Sequence, residues 1–334
     1  METDPPAEVD FCLGIDVGGT DVKVGLFDPA GHVWARNRSA TPGLGTPERV
    51  FRHALAFATH RLADPQFPSG RLRAVGLAVP GVLDSREFVL REVVNLPGWL
   101  GVPLRERLQA ESGLPCVVVN DANAAAFAEH ALRGLGDSSL ALVTLGTGIG
   151  CGVVVRGHPY GGDHGCAGEL GHIAIDFSPQ ALPCTCGSRG HLETYAGAAG
   201  VVARLRSRLA VAAPGSFPAH LGSDRVTPRD LAEAAESGDE LCLEVIRETA
   251  RHVGAAIGLL GQTLDPAVVL LGGAMTFGGS ATASGRSFLE KVRESVRATT
   301  LVQVGGNMTI EFASLGNDAG MLGAAMFANQ ALKG

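Results

Sequence analysis

Short apolar runs recur along this chain, and most of them end at a glycine-rich or polar turn. Runs of this kind are typical of buried strands, whereas apolar positions spaced by three or four residues indicate helices. The pattern predicts strands at residues 11–17, 22–27, 32–38, 74–79, 115–119, 140–145, 150–155, 267–271 and 308–313. It predicts helices at residues 46–62, 103–111, 122–133, 239–263, 285–299 and 318–332. Strands alternating with helices indicate an α/β protein.

Two helix starts carry recognisable end signals. Thr46 precedes Pro47, and these residues suit the N-cap and the first helical position. Thr227 is followed by Pro228 and then by Asp230, which is close to a capping box. The signals predict where these two helices begin.

One arrangement of strands and turns occurs twice, beginning at Phe11 and again at Leu140. In each copy a strand, a glycine/threonine turn, a second strand, another turn and a third strand follow one another. The repeat predicts two related α/β lobes that face each other across a cleft. We place the small lobe at residues 1–121, joined by a C-terminal helix at 316–334, and the large lobe at 122–315.

Two glycine turns directly follow predicted strands and could bind an anion. They are Asp16-Val17-Gly18-Gly19-Thr20 and Gly146-Thr147-Gly148. Glycine lets backbone N–H groups approach an anion closely, and threonine adds a hydroxyl donor. A carboxylate at the strand end could hold Mg²⁺ through its water shell. Either turn alone could equally be a plain β-hairpin, and neither matches a Walker loop or a Rossmann fingerprint.

Two further strand ends carry candidate functional residues. Gly272-Gly273 follows the predicted strand at 267–271 and could lie against a flat adenine or ribose, or form an ordinary loop. Asn120-Asp121 ends another predicted strand and precedes a helix. A carboxylate there could act as general base toward a substrate hydroxyl, or Asp121 could simply cap the helix.

The stretch from Gly168 to Glu193 concentrates thiol, imidazole and carboxylate side chains in a segment broken by prolines and glycines. We interpret part of it as a structural zinc site, because zinc binds four nitrogen or sulfur ligands in a tetrahedron. The predicted ligands are His172, Cys184, Cys186 and His191. The alternative is two buried cysteines beside two surface histidines. A histidine that binds zinc through one ring nitrogen could donate a hydrogen bond from the other nitrogen to a sugar oxygen. The nearby carboxylates of Glu169 and Glu193 could accept hydrogen bonds from sugar hydroxyls.

Composition narrows the class of protein. A hydrophobic fraction of 46% with 18% charged residues is that of a globular chain. The net charge of −7 argues against nucleic acid or an anionic membrane as a partner. The acidic N-terminus does not resemble a signal peptide, and no apolar run is long enough for a membrane span. We expect a cytoplasmic enzyme whose remaining cysteines are reduced and buried: Cys12, Cys116, Cys151, Cys166 and Cys242.

Taken in order, these motifs resemble the ROK family of sugar kinases and sugar-responsive repressors. The matching segments are DVGGT at Asp16, AVPG at Ala78, NDAN at Asn120, TLGTGIG at Thr144, GELGH at Gly168, CTCGSRGHLE at Cys184 and LGGAM at Leu271. The resemblance implies the two-lobed ribonuclease-H-like fold of actin-like ATPases and hexokinases, with a central cleft.

The resemblance also implies roles for single residues. ATP is expected to contact Asp16, Gly18, Gly19, Thr20, Lys23, Thr147, Gly148, Gly272 and Gly273. The sugar is expected to contact Gly81, Asn95, Asn120, Asp121, Glu169, His172 and Glu193, with Asp121 as the catalytic base. The family usually has a third cysteine where this chain has His191, so the metal ligand set is expected to be Cys₂His₂.

The implied activity is transfer of the γ-phosphoryl group of ATP, with Mg²⁺, to O6 of glucose. The turn at Asn95-Leu96-Pro97-Gly98-Trp99 resembles glucokinases of the family more than its N-acetylmannosamine kinases or fructokinases. A non-catalytic sugar-sensing regulator is the alternative from another class. A transcriptional repressor of this kind would need a helix-turn-helix module, and about ten residues precede the first predicted strand. A sugar-binding protein that has lost catalysis is a third alternative, and the presence of Asp16, Asp121 and both glycine turns argues against it. The resemblance implies a homo-oligomer, with a dimer favoured.

Overall fold

The computed structural model describes residues 8–93, 96–212, 218–222 and 225–333. The strands are β1 (Val9–Val17), β2 (Asp21–Phe27), β3 (Val33–Ala40), β4 (Gly70–Val79), β5 (Val82–Asp84), β6 (Val89–Glu92), β7 (Cys116–Asn120), β8 (Leu140–Leu145), β9 (Ile149–Val155), β10 (His158–Pro159), β11 (Val268–Gly272) and β12 (Thr309–Phe312). The helices are α1 (Thr41–Leu44), α2 (Pro47–Leu62), α3 (Leu104–Ser112), α4 (Asp121–Leu132), α5 (Leu192–Ala196), α6 (Ala198–Leu209), α7 (Pro228–Glu236), α8 (Glu240–Leu264), α9 (Ala283–Thr299), α10 (Val302–Gly305) and α11 (Ala319–Ala331).

Two five-stranded sheets share one topology. The first has the order β3-β2-β1-β4-β7 and the second has the order β10-β9-β8-β11-β12. In the first sheet β1 pairs antiparallel with β2 and parallel with β4, and β4 is parallel to β7. In the second sheet β11 is parallel to both β8 and β12, and β9 is antiparallel to β10. The predicted repeat of strand, turn and strand is therefore confirmed at the level of the sheets.

The chain forms two compact units. The first comprises residues 1–137, 152–167 and 315–334, and the second comprises residues 138–151 and 168–314. Helix α4 belongs to the first unit because it packs against α11 there, whereas the sequence division at 121/122 assigns it to the other lobe. Residues 152–167 also belong to the first unit and not to the predicted large lobe. The other lobe boundaries remain a prediction.

Helix α11 packs against the first sheet and α4 through glycines. A Cβ atom on Gly14 of β1 or on Gly76 of β4 would lie well inside contact distance of the α11 backbone. A Cβ atom on Gly323 of α11 would overlap the carbonyl group of Ala124 in α4. Because all three residues lack a Cβ atom, the elements approach backbone to backbone. This close packing holds β1, β4 and the first turn of α4 against α11.

We expect Gly323→Ala to lower the free energy of unfolding by about 1–3 kcal/mol, the usual cost of overpacking a core. The loss should occur even though alanine favours a helix over glycine by about 1 kcal/mol. Urea denaturation would measure it. Gly43→Ala is the matched control, since nothing lies within 4 Å of a Cβ at Gly43. Equal stability of the two variants would contradict this packing.

The second unit is built around α8, which packs along α9. The capping box predicted at the start of α7 is confirmed: Thr227 accepts from Asp230 N, and the Asp230 side chain accepts from Thr227 N. Thr46 occupies the N-cap of α2 as predicted, but its side chain makes no cap hydrogen bond. No described helix is both long and apolar enough to cross a membrane.

The cysteine prediction holds at four of its five positions. Cys12, Cys116, Cys151 and Cys242 are buried thiols. Cys166 is exposed, and the prediction for it is wrong because it lies in a loop beyond β10 and not within an apolar run. The sequence pattern also does not reveal α1 or the β5–β6 hairpin, because elements this short have no detectable periodicity.

Candidate functional site

Asp16 lies at the carboxyl end of β1, opposite Lys23 of β2. Lys23 Nζ donates to Asp16 Oδ2 at 3.0 Å and to the carbonyl of Asn317 at 2.9 Å. Burial raises the pKa of Asp16, Lys23 opposes this shift, and Asp318 adds to it. A Cβ at Gly320 would lie 2.8 Å from Asp16 Oδ2, so glycine at the start of α11 leaves space for the carboxylate.

Hydrogen bonds at Gly18 stabilise the turn between β1 and β2 and leave other backbone N–H groups without a partner among the described residues. Gly18 N donates to the carbonyl of Asp21 at 2.8 Å. Thr41, which is buried, donates from Oγ1 to the carbonyl of Gly18 at 2.7 Å. Gly19 and Thr20 are exposed, and their N–H groups have no recorded hydrogen bond to the described residues. Two N–H groups and one hydroxyl are therefore available to an anion.

Asn120, and not Asp121, caps helix α4. The Asn120 side-chain oxygen accepts from Asn123 N at 3.1 Å, which is the N-cap bond. Asp121 is the first helical residue, and its Oδ1 accepts from the N–H of Ala122 at 2.8 Å. The capping alternative for Asp121 is therefore unnecessary, since its neighbour fills that role.

The environment of Asp121 favours the neutral form of its carboxyl group more than water does. Burial and the negative charge of Asp16 raise the pKa of Asp121 to about 7, while the hydrogen bond from Ala122 N opposes the shift. A carboxylate with a pKa near neutrality both takes and releases a proton readily, which suits a general base. Asp16 and Lys23 thus lie close enough to act electrostatically on Asp121, which follows β7 in the same sheet.

Asn120 also links to a second predicted sugar-binding residue. Its Nδ2 donates to the carbonyl of Gly81 at 3.1 Å. Gly81 has φ 89°, and a Cβ there would overlap the carbonyl of Glu92, so only glycine fits this turn. Asn95, predicted to contact the sugar, lies outside the described residues.

The turn between β8 and β9 in the second unit is held by Glu193. Glu193 Oε2 accepts from Ile149 N at 2.9 Å, and Gly146 N donates to the carbonyl of Gly148 at 3.0 Å. Ala198 N donates to the carbonyl of Gly146 at 3.0 Å. The N–H groups of Thr147 and Gly148 have no recorded partner in the part of the chain that the structure describes. This turn therefore also presents two backbone donors.

Gly272 and Gly273 follow β11. Gly273 has φ 88°, and a Cβ at this residue would overlap the carbonyl of Leu145 at the end of β8. Gly273 and Ala274 are exposed, whereas Met275 returns to the core and its N–H donates to the Leu145 carbonyl at 3.0 Å. The pair thus forms an open backbone surface beside the end of β8.

The four predicted metal ligands come together. The donor atoms of His172, Cys184, Cys186 and His191 all lie within 4.8 Å of one another. The two Nδ1 atoms are 3.4 Å apart, Cys184 Sγ is 3.8 Å from His172 Nδ1, and Cys186 Sγ is 3.3 Å from His191 Nδ1. Ligands around tetrahedral zinc are separated by about 3.3–3.8 Å, given its usual bond lengths. The donor set and spacing therefore fit zinc.

Backbone bonds shape the loop that carries these ligands. Cys184 N donates to the carbonyl of Ser188 at 2.8 Å, and Gly187 N donates to the carbonyl of Cys184 at 3.0 Å. Gly187 has φ 91°, which favours glycine. The backbone N–H of Ser188 lowers the pKa of Cys186, which favours the thiolate that binds metals.

The remaining predicted sugar residues, Glu169 and His172, lie on a short 3₁₀ segment. Glu169 is exposed and precedes Leu170–His172, and its carbonyl accepts from His172 N at 3.0 Å. The segment therefore places the Glu169 carboxylate one turn from a metal-ligand candidate.

Sequence reasoning did not identify Thr41, Asn317 or Gly320 as parts of the site. Each contacts a predicted residue from a distant part of the chain, so neither a motif nor a local periodicity marks it. Glu193 was predicted for the sugar alone, and its bond to the β8–β9 turn had no sequence signal.

Known proteins are similar to this chain over nearly its full length. A glucokinase of Halalkalibacterium halodurans is 32% identical over 323 residues, covering 95% of this chain and 94% of that protein. A ROK hexokinase structure from Thermus thermophilus is 31% identical with a TM-score of 0.76, over 97% of this chain and 99% of that one. A ROK glucokinase from Streptomyces griseus, solved with glucose and AMPPNP, is 31% identical with a TM-score of 0.73, over 96% and 99%.

Relatives with other roles also match. An N-acetylmannosamine kinase of Escherichia coli is 30% identical over 95% of this chain and 97% of that protein. A xylose repressor of Caldicellulosiruptor bescii is 30% identical over 95% of this chain but 77% of that protein. The ROK family model matches residues 12–331. This chain, with the fold of the actin-like ATPases and hexokinases, belongs to the ROK family.

Proposed function

We propose that this protein is an ATP-dependent sugar kinase that transfers the γ-phosphoryl group to a hexose hydroxyl, O6 of glucose. The observation that carries the proposal is the environment of Asp121. Its carboxylate does not cap helix α4, because Asn120 does, and its pKa is raised to about 7. The glucokinases among the relatives support the substrate class.

In this reaction Asp121 accepts the proton of the hexose hydroxyl as its oxygen bonds to the γ-phosphorus. The bond from that phosphorus to the β–γ bridging oxygen breaks, and ADP leaves. Phosphoryl transfer depends mainly on positioning and charge neutralisation. One well-placed base and donors for the phosphate oxygens therefore suffice on the protein side.

The nucleotide is bound by both glycine turns. The free N–H groups of Gly19 and Thr20, and of Thr147 and Gly148, donate to phosphate oxygens, while Gly272-Gly273 contacts the adenosine. Gly18 shapes the first turn, and Lys23 adds a positive charge. Asp16 would hold Mg²⁺ through its water shell, and when bound the ion neutralises phosphate charge.

The sugar hydroxyls are assigned to a set of hydrogen-bond donors and acceptors. Gly81, Asn95, Asn120, Glu169, His172 and Glu193 form this set together with Asp121. His172, Cys184, Cys186 and His191 would hold zinc, which would keep the loop that carries Glu169 and His172 in shape. Its role is structural, since four protein ligands leave no open position.

A coupled assay of ADP release over a panel of sugars tests the proposal and names the substrate. The panel should include glucose, mannose, fructose and N-acetylmannosamine, each with ATP or polyphosphate as donor. The proposal predicts the highest kcat/KM with glucose and ATP. A preference for N-acetylmannosamine or fructose would place the chain with those kinases, and sugar binding without turnover with any donor would indicate a regulator.

We expect kcat/KM for the sugar to decline as the pH is lowered through about 7. The raised pKa of Asp121 means that the free enzyme holds a proton on this carboxyl at acid pH, and a protonated base cannot accept another. A pH profile from pH 5 to 9 measures this. Activity that stays flat down to pH 5 would contradict the assignment of Asp121 as the base.

A further inference from the structure

Segment 193–198 forms a hydrogen bond at each end of the β8–β9 turn. Glu193 Oε2 accepts from Ile149 N at 2.9 Å after the turn, and Ala198 N donates to the Gly146 carbonyl at 3.0 Å at its start. The bond to Glu193 is charge-assisted, so it is stronger than a bond between neutral groups. The shape of this turn therefore depends on the Glu193 carboxylate.

Gly148 makes room for this arrangement. A Cβ at Gly148 would meet the Glu193 carboxylate, and Oε2 would be its nearest atom. Gly148 is not among the residues with positive φ, so its lack of a side chain serves space and not backbone conformation. At Gly146, two residues earlier, nothing lies within 4 Å of a Cβ. The carboxylate thus packs directly against Gly148, at the end of the turn where β9 begins.

One carboxylate oxygen remains for another partner. Oε2 is occupied by Ile149 N, whereas Oε1 has no recorded hydrogen bond to the residues that the structure describes. The proposed function assigns a sugar hydroxyl to Glu193. A hydroxyl donating to Oε1 would hold the carboxylate in the orientation in which Oε2 keeps its bond to the turn.

We infer that Glu193 is a positioning residue that couples sugar binding to nucleotide binding, an inference that rests on the proposed function. A sugar on Oε1 orders the carboxylate, and the ordered carboxylate fixes the turn whose Thr147 and Gly148 N–H groups bind phosphate. The second ligand then pays less of the ordering cost. By linkage, ATP strengthens sugar binding by the same factor.

The sharpest test compares Gly148→Ala with Gly146→Ala. The first methyl group displaces the Glu193 carboxylate without removing it, and the second adds a methyl group to the same turn in open space. Calorimetry would measure the affinity for a non-hydrolysable ATP analogue with and without glucose. We expect glucose to raise that affinity about 5-fold or more in the wild type and in Gly146→Ala. In Gly148→Ala the factor should approach one.

Amide hydrogen exchange of the free protein gives a second readout that needs no substrate. The Ile149 amide should exchange about tenfold faster or more in Gly148→Ala than in Gly146→Ala, because a displaced carboxylate no longer protects it. Glu193→Gln should keep part of the protection of the Ile149 amide, since the glutamine side-chain oxygen can still accept its hydrogen bond. This variant replaces Gly148→Ala in the experiment if Gly148→Ala does not fold. Equal protection and equal coupling in the two glycine variants would overturn the inference. If the wild type binds no sugar while Ile149 loses protection as expected, the proposed function fails and the link between Glu193 and the turn stands.

Discussion

Asp121→Asn is expected to lower kcat by about 10²–10⁴-fold, the typical effect of removing an acid–base group. Asparagine has nearly the same shape as aspartate but cannot accept a proton from the hexose hydroxyl. The helix cap is unaffected, because Asn120 makes the N-cap bond. Glucose affinity, measured by calorimetry, should stay within a few-fold of wild type. Turnover close to wild type would refute the assignment.

Asp121→Asn should be no less stable than the wild type. A fall in kcat would then reflect the loss of the catalytic base and not unfolding of the protein. A carboxyl whose folded pKa is raised stabilises the fold below its unfolded pKa, and that contribution is lost as the pH rises through the folded value of about 7. Between about pH 4 and pH 7 the wild type therefore loses stability that Asp121→Asn does not lose. Thermal unfolding at pH 5 and pH 8 should show the variant gaining relative to the wild type at the higher pH.

Cys184→Ser is expected to release zinc and to destabilise the loop that carries Glu169 and His172. Serine is a poor zinc ligand, and the two histidines and Cys186 alone would bind the ion weakly. Structural zinc sites in peptides bind with about 10–16 kcal/mol, so losing the ion should cost far more than an ordinary surface substitution. Elemental analysis should give about one zinc per wild-type chain and almost none in the variant, with a lower melting temperature and a higher KM for glucose.

Cys166→Ser provides the control for that experiment. Cys166 is an exposed free cysteine outside the cluster, so its replacement should leave zinc content and melting temperature unchanged. Wild-type protein without zinc, or a Cys184→Ser variant with full zinc content, would show that these four side chains do not form a zinc site.

The sequence was informative where local chemistry determines structure. The two strand–turn–strand copies were predictable because short apolar runs and glycine turns lie next to each other in the chain. The capping box of Thr227 and Asp230 was predictable for the same reason, since three residues suffice to form it. The metal ligands lie within twenty residues of each other, so a short loop could bring their donor atoms together.

Other features depend on contacts between distant residues and left no local signal. Gly320 makes room for Asp16 only because α11 packs against the end of β1. Asn120 and Asp121 are both good N-cap residues, and only the backbone geometry shows that Asn120 takes the cap. Glu193 reaches the β8–β9 turn through a fold that brings α5 beside it.

The most direct measurement is the identity of the product formed from ATP and glucose, followed by phosphorus and proton NMR. A glucokinase with Asp121 as its base should form one ADP and one glucose 6-phosphate for each ATP consumed, and Asp121→Asn should form the same product at a rate lower by about two to four orders of magnitude. ATP consumption that yields inorganic phosphate with unchanged glucose, or equal rates of glucose 6-phosphate formation by the two proteins, would contradict this prediction.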